Sequence, residues 1–329
     1  MKSITVKKHF LGIVFSVFLL GSIFAQDNLQ NGANNFNISY KNIYEELFSK
    51  GDYEELYDHL QKWETQEPNN PELYIGYFNY YINRNRFSGI FLGEQMGSPA
   101  LELQDPETGE IVGYISESVQ YNDEDIAKAL EYLDKGLGFA PNRLDMYFGK
   151  IHLLNELELY ERAGSEVLSL IVFSKNINNQ WLWSAYENDV SDEDITSYGS
   201  GKIIEDGEDV LLESLQDYYG LWLNVGTDQS LEQMRICTEK QVELYPDHIF
   251  AYNVLAVYHF LKEQYHEALS VFLKAEKINA NDCIVLVNIG IVYVRIGDNQ
   301  KAEEYFSKVL EIGDEADKEY ARYYLDQLQ

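Results

Sequence analysis

From Ile249 to the C-terminus, apolar residues recur three and four positions apart in alternating blocks, the period of amphipathic helices. Shifting this region against itself by 34 residues places Tyr252 on Leu286, Leu255 on Ile289 and Ala256 on Gly290. The same shift places Ala268 on Ala302, Phe272 on Phe306, Lys274 on Lys308 and Ile278 on Ile312. In the first block of each copy, the large residue and the Leu or Ile share a helix face, and the small residue admits a close neighbour. Turn positions fall near Glu263 and at Gly297-Asp298. In the second block, Ala and Phe lie four apart and return onto the first. The pattern predicts a helix-turn-helix unit repeated along the chain.

The grid extends backwards. The copy at 215–248 carries Tyr218, Leu221, Trp222, Met234 and Pro246, and Ser230 with Gln233 has the spacing of a helix-opening capping box. The copy at 144–177 carries Tyr147, Ile151, Leu154, Tyr160, Ala163 and Val167. The copy at 37–70 carries Tyr40, Ile43, Leu47, the turn Gly51-Asp52-Tyr53, Leu56, Leu60 and Pro68. The copy at 71–143 is split: Tyr74, Tyr77, Phe78 and Tyr81 read as its first helix, and Ala129 and Leu133 as its second. Residues 87–122 interrupt it, with Leu101–Leu103 and Glu110–Ile115 flanking Asp105-Pro106-Glu107-Thr108-Gly109, which predicts a β-hairpin. Residues 178–214 are irregular: Trp181, Trp183 and Tyr186 start on grid like a first helix, then an acidic, Gly- and Ser-rich loop follows. The copies at 249–282 and 283–316 complete the array, and 317–329 reads as a capping helix with Tyr320, Tyr323 and Tyr324 on one side.

Leu286-x2-Ile289-Gly290-x2-Tyr293 followed by Ala302-x3-Phe306 resembles the tetratricopeptide repeat. The resemblance covers nearly all of residues 37–329. It implies an all-α helix-turn-helix solenoid, a superhelix with a small β-hairpin insertion. It further implies that ligands lie on a concave face supplied by the first helices. By position that face comprises Ile75, Asn79 and Ile82, then Phe148 and His152, then Tyr219 and Leu223. It continues with Phe250, Asn253, Val257 and Phe260, and ends with Val287, Asn288, Ile291 and Arg295. Family members that clamp acidic chaperone tails use Lys, Asn and Arg at inner positions. Here Lys41 fits one, but Glu45, Gly76, Asp145 and Gly149 occupy the others, which sets that activity aside.

Charge narrows the partner. The 329 residues hold 55 Asp and Glu against 25 Lys and Arg, a net charge of -30. Such a chain repels phosphate backbones and anionic lipid, so nucleic acid is excluded as a partner and a basic protein or peptide is favoured. The N-terminus is laid out as a secretory signal peptide: Lys2, Lys7 and Lys8, an apolar run from Phe10 to Phe24, then Ala25 at a cleavage position. Residues 26–36 form a polar linker. The expected destination is the periplasm, the cell envelope or the secreted space. An uncleaved segment would provide the one membrane anchor.

No catalytic constellation assembles. Gly199-Ser200-Gly201-Lys202 lacks the spacer and the following Ser or Thr of a phosphate loop. The acidic loop from Asp189 to Asp194 lacks the Gly and Glu of a calcium loop. His152, His248, His259 and His266 are spread over different elements, and no Cys/His cluster has metal spacing. Cys237 and Cys283 fall a full repeat apart in register, too far to bridge. No cofactor or metal is expected. The sequence thus predicts a non-catalytic scaffold for a protein or peptide. An enzyme with its chemistry in residues 87–122 and 188–207, and a cation-responsive surface protein using the acidic loop, are the alternatives.

Overall fold

The computed structural model describes residues 40–93, 100–105, 108, 111–184 and 201–328. The signal-like segment, Tyr186 and the acidic stretch from Asp189 to Asp194 lie outside them. Among the described residues, 40–150 with 181–204 form one compact unit, the N-terminal unit. Residues 151–180 with 205–328 form the other, the C-terminal unit.

In the N-terminal unit, α1 (Tyr40–Lys50) and α2 (Tyr53–Gln66) form a pair, and Asp52 caps α2 by accepting from the Glu55 N–H at 3.1 Å. α3 (Pro71–Asn83) packs directly on α4 (Asp123–Phe139), across the residues between them. Its neck is closed by charge. Asp125, buried in the first turn of α4, receives Arg84 Nε at 2.9 Å, Arg84 Nη2, and Asn85 Nδ2 at 2.6 Å. Arg84 and Asn85 follow α3, so these bonds bring the two ends of the interruption together. The rings of Tyr77 and Tyr132 stack across the pair at 4.1 Å, and Tyr81 adds to the stack at 5.5 Å. Much of the chain's tyrosine is therefore interhelical packing with a hydroxyl at its edge.

The interruption itself holds one strand more than the expected hairpin. β1 (Phe87–Gly93), β2 (Ala100–Gln104) and β3 (Ile111–Gln120) form an antiparallel sheet in the order β1-β3-β2. The turn residues around Pro106 drew attention to β2 and β3. The β-type run of Phe87, Ile90, Phe91 and Leu92 pairs with the far edge of β3.

α5 (Leu144–Glu156) and α6 (Tyr160–Asn176) follow. The next segment departs from expectation. Trp181 and Trp183 do not open a helix. They lie in extended chain, where β4 (Leu182–Trp183) pairs antiparallel with β5 (Lys202–Ile203). The first helix of the following repeat, α7 (Gly207–Val225), starts at 207 and buries Leu211, Leu215, Tyr219 and Trp222. The packing stripe therefore runs through Tyr219, while Leu221 is exposed. α8 (Asp228–Leu244) is capped by Thr227, whose Oγ1 accepts from the Ser230 N–H at 3.1 Å. Ser230, expected as the cap, is buried inside the helix and donates to the Trp222 carbonyl at 2.9 Å.

The remaining C-terminal unit follows the grid closely. α9 (Ile249–Leu261) and α11 (Cys283–Ile296) begin 34 residues apart, as do α10 (Tyr265–Ile278) and α12 (Asn299–Ile312). Gly290 lets Phe306 sit against α11, since a Cβ there would lie 2.5 Å from its ring. The turns joining α1 to α2, α5 to α6, α7 to α8, α9 to α10 and α11 to α12 are left-handed, at Gly51, Glu158, Gly226, Glu263 and Gly297. α13 (Glu315–Leu328) closes the array by burying Ala321 and stacking Tyr324 on Phe306 at 5.3 Å. Tyr320 and Tyr323 remain exposed rather than joining the cap's packing face. Cys237 lies in α8 and Cys283 opens α11, with the α9–α10 pair between them, and both are free thiols.

Candidate partner-binding surface

The first-helix face of the C-terminal unit is built from α9 and α11. Asn253 and Asn288 tie these helices together: Asn288 Nδ2 donates to Asn253 Oδ1 at 2.9 Å. Around that bond, Phe250, Val257 and Phe260 on α9 and Val287 and Ile291 on α11 are only half-buried. Arg295, exposed in the last turn of α11, holds its guanidinium 6.0 Å from the Phe260 ring centroid, and Phe260 packs edge-on against Tyr265 at 5.5 Å. Ile284 and Leu261 are exposed at the ends of the same helices. Eight of the expected binding positions therefore lie on two helices, with Phe250, Asn253, Phe260, Asn288 and Arg295 bearing the polar and aromatic chemistry.

The other positions fare differently. Tyr219 is wholly buried and donates its hydroxyl to Gln241 Oε1 at 2.8 Å, so it presents no surface to a ligand. The one-residue offset in α7 is the reason. His152 is exposed, with Nε2 4.0 Å from the Glu156 carboxylate. Asn79 is half-buried on α3. Phe148 is half-buried with the Trp183 ring set edge-on at 6.0 Å.

That last contact is part of a larger one. In the N-terminal unit the first-helix face is met by the chain's own ribbon. Ser184 Oγ donates to Glu72 Oε2 at 2.8 Å and accepts from Lys41 Nζ at 3.0 Å. Its N–H donates to Asp145 Oδ2 at 3.2 Å. Arg143, with no exposed surface, bonds Asp145 through Nε at 2.9 Å and Nη2 at 2.7 Å, and reaches Glu72 at 2.7 Å. Burial pushes the Glu72 carboxyl up, but Arg143, Lys41 and the Ser184 hydroxyl outweigh it and hold it below its ordinary range. Gly201, at φ +100°, is required here: a Cβ would meet the Trp183 carbonyl at 2.6 Å and Arg143 Cδ at 3.0 Å. Sequence reasoning located Lys41 and Asp145 as inner positions but missed Glu72, Arg143 and Ser184. The available signal was Arg143 two residues before Asp145, an odd placement for a buried cation without partners from elsewhere in the chain.

Residues 285–312, spanning α11 from its first turn to the end of α12, match the tetratricopeptide repeat family, and α9–α10 repeats the same helix pair. Residues 285–312 form a tetratricopeptide repeat. No curated protein sequence matches it significantly. Among solved structures, it is similar to YrrB, a tetratricopeptide-repeat protein with an unusual peptide-binding site, at 19% identity over 62% of this chain and 84% of that one, with a TM-score of 0.34. The C-terminal part of a tetratricopeptide-repeat protein from Cytophaga hutchinsonii shares 13% identity over 83% of this chain and 78% of that one, TM-score 0.37. PilF of Pseudomonas aeruginosa shares 12% over 86% and 96%, TM-score 0.32. At these values the likeness carries no argument about ligands. The tetratricopeptide fold is that of a protein-interaction scaffold. Among the described residues, no group of His, Cys, Asp and Glu is placed to hold a metal ion, and no helix is long and apolar enough to cross a membrane.

Proposed function

We propose that this protein is a non-catalytic scaffold that holds a polypeptide segment against α9 and α11 of its C-terminal unit. The observation that carries this reading is the half-buried apolar face of Phe250, Val257, Phe260, Val287 and Ile291 around the Asn253–Asn288 bond. Helices of a repeat array bury their other faces against neighbours, so a face left apolar is available for docking. Neighbouring helices with apolar flanks suit a helical or extended peptide better than a small molecule. We further propose that the chain works outside the cytoplasm, supported by the basic start and apolar run ahead of Ala25. N-terminal sequencing of protein from its host should find the mature chain starting near Gln26. Retention of Phe10–Phe24 in a membrane fraction would argue for an anchor instead.

Cross-linking in the native envelope followed by mass spectrometry would identify the partner. With that partner in hand, Phe260→Ala should weaken binding by about 1–4 kcal/mol if the ring is an anchor. Phe148→Ala should leave affinity unchanged, because Phe148 already packs on Trp183. Unchanged affinity for a well-folded Phe260→Ala protein would remove α9 from the binding surface.

A further inference from the structure

The inference rests on α9 and α11 being the docking face, and concerns where that face gains charge. Neither α9 nor α11 contains a carboxylate. The first helix ahead of them, α7, does, and it packs on α8 and touches α9. Gly220 is buried on α7 as Ala256 is on α9 and Gly290 on α11. Asp217 stands three residues before that small position and Leu221 one after it. Those are the places of Asn253 and Val257 on α9, and of Val287 and Ile291 on α11. The docking stripe thus continues onto α7. There Glu213, Asp217, Leu221 and Asn224 are exposed at helical spacing, away from the buried Leu215, Tyr219 and Trp222.

Glu213 and Asp217 lie one turn apart, and like charges at that spacing are unfavourable. Burial pushes the Asp217 carboxyl up, and Glu213 pushes it further. The bases of the surrounding helices are committed elsewhere. α7 has none. On α8, Arg235 pairs with Glu232 and Glu239, and Lys240 with Glu243. Around α9, His248 bonds Gln241, His259 bonds Gln264, and Lys262 pairs with Asp228. Arg295 of α11 sits beside Phe260, and its charge is felt by Tyr324 of α13.

We propose that the partner is a polypeptide segment whose apolar stripe covers α9 and α11 and whose Lys or Arg, at one end of that stripe, is held by Glu213 and Asp217. A cation there relieves the repulsion between the two carboxylates and gains charge-assisted hydrogen bonds. The net charge of -30 draws basic chains from a distance, but at physiological salt it is screened within about 8 Å. The acid pair therefore decides which end of an apolar segment lies on α7. Packed helices lie about 8–10 Å apart. The base should accordingly stand about three residues from the first apolar contact in an extended segment, or about six in a helix.

The test uses two fluorescein-labelled peptides with blocked ends and the same Leu-rich stripe. One carries Lys about three and about six places out from the stripe at both ends, and the other carries Glu at the same places. Binding to the full chain at about 0.15 M salt is followed by fluorescence anisotropy. The Lys peptide is expected to bind about tenfold tighter. Glu213→Gln with Asp217→Asn should remove most of that preference. Glu303→Gln with Glu304→Gln, the same change of charge on the exposed side of α12, should keep it. Phe260→Ala should weaken both peptides. Equal or tighter binding of the Glu peptide overturns the proposal. A preference that falls equally in the two charge variants also overturns it, because net charge then suffices. Either result, with Phe260→Ala still weakening binding, leaves the docking face intact. Binding of neither peptide overturns the proposal together with the docking face.

Discussion

The two units of this chain treat equivalent first-helix faces in opposite ways. In the N-terminal unit, Lys41, Glu72, Asp145 and Phe148 meet a strand of the same chain, and Arg143 is locked among carboxylates beneath it. In the C-terminal unit, Phe250, Val257, Phe260 and Ile291 line helices that carry no carboxylate at all. The repeat grid decides which positions reach this face, but the residues placed there decide what can cover it. A face bearing buried carboxylates and cations demands polar partners in fixed geometry, because unpaired buried charge is strongly unfavourable. The ribbon supplies those partners through Ser184, and Trp181 plugs the space behind it with no exposed surface. An apolar face makes no such demand. It can stay half-covered and wait for a ligand whose contacts are mainly apolar.

The largest expected effect comes from breaking the covered face. Arg143→Met should cost about 3–5 kcal/mol, because it strands Glu72 and Asp145 without the cation that pairs them. A urea titration followed by tryptophan fluorescence measures it, since Trp181 and Trp183 both lie on the ribbon. A loss below about 1 kcal/mol would mean that the network is ornamental and the ribbon is held by Trp181 alone.

On the apolar side the comparable stress is steric. Ala302 has no exposed surface and sits among Phe272, Ile289 and Phe306 in the core of the last two repeats. Ala302→Trp should overpack that contact and cost about 1–3 kcal/mol in the same titration. Unchanged stability would show that α11 and α12 yield easily, and that the regularity of the C-terminal unit is not backed by tight packing.

How much of this was legible beforehand follows from what repeats record. α9 to α12 were readable because Tyr252, Ala256, Ala268 and Phe272 recur as Leu286, Gly290, Ala302 and Phe306, so each helix was read twice. The split of α3 from α4 was readable for the same reason, since Tyr74, Tyr77 and Leu133 keep their places on either side of the interruption. The irregular region had no second copy to check against. There the alternation of Trp181 and Trp183 fits a strand, but it was set on a helical grid, and the start of α7 was displaced with it. The same displacement put Tyr219 on the binding face instead of in the core. The ion network was not legible as a whole because Lys41, Glu72 and Ser184 lie far in sequence from the Arg143–Asp145 pair and are ordinary one at a time. On the binding face, position alone gave Phe250, Asn253, Phe260, Asn288 and Arg295.

A smaller, stabilising effect sharpens the comparison inside the C-terminal unit. Glu263 and Gly297 hold the same turn one repeat apart, at φ 58° and φ 92°. The hydrogen bond from Gln264 N–H to the His259 carbonyl, at 2.9 Å, corresponds to that from Asp298 N–H to the Tyr293 carbonyl, at 3.0 Å. A side chain in this left-handed region is strained, so Glu263→Gly should add about 1 kcal/mol of stability. Thermal unfolding should show a rise of a few degrees. A fall would mean that Glu263 makes up for its strain through contacts of its own.

The smallest effect is a difference in how the two units meet acid. His248, half-buried at the start of α9, bonds Gln241 through Nδ1 at 3.0 Å. Burial lowers its pKa, and Asp209 and Glu208 offset that only in part. The folded value therefore lies below the unfolded one of about 6.5, and the fold favours the neutral ring. The stability this provides is present above about pH 6.5 and is lost as pH falls through the folded value. Glu72 in the N-terminal unit is also depressed, but from the carboxylate range, so its contribution stays in full until pH drops below about 4.3. Between those limits only the C-terminal unit should weaken. Hydrogen exchange at about pH 7 and about pH 5.5, corrected for the intrinsic rate, should show α9 amides losing protection while α3 amides keep theirs. His248→Asn should remove the early loss, because its side chain no longer titrates. If α3 opened first on acidification, the network around Arg143 would be the weaker of the two devices.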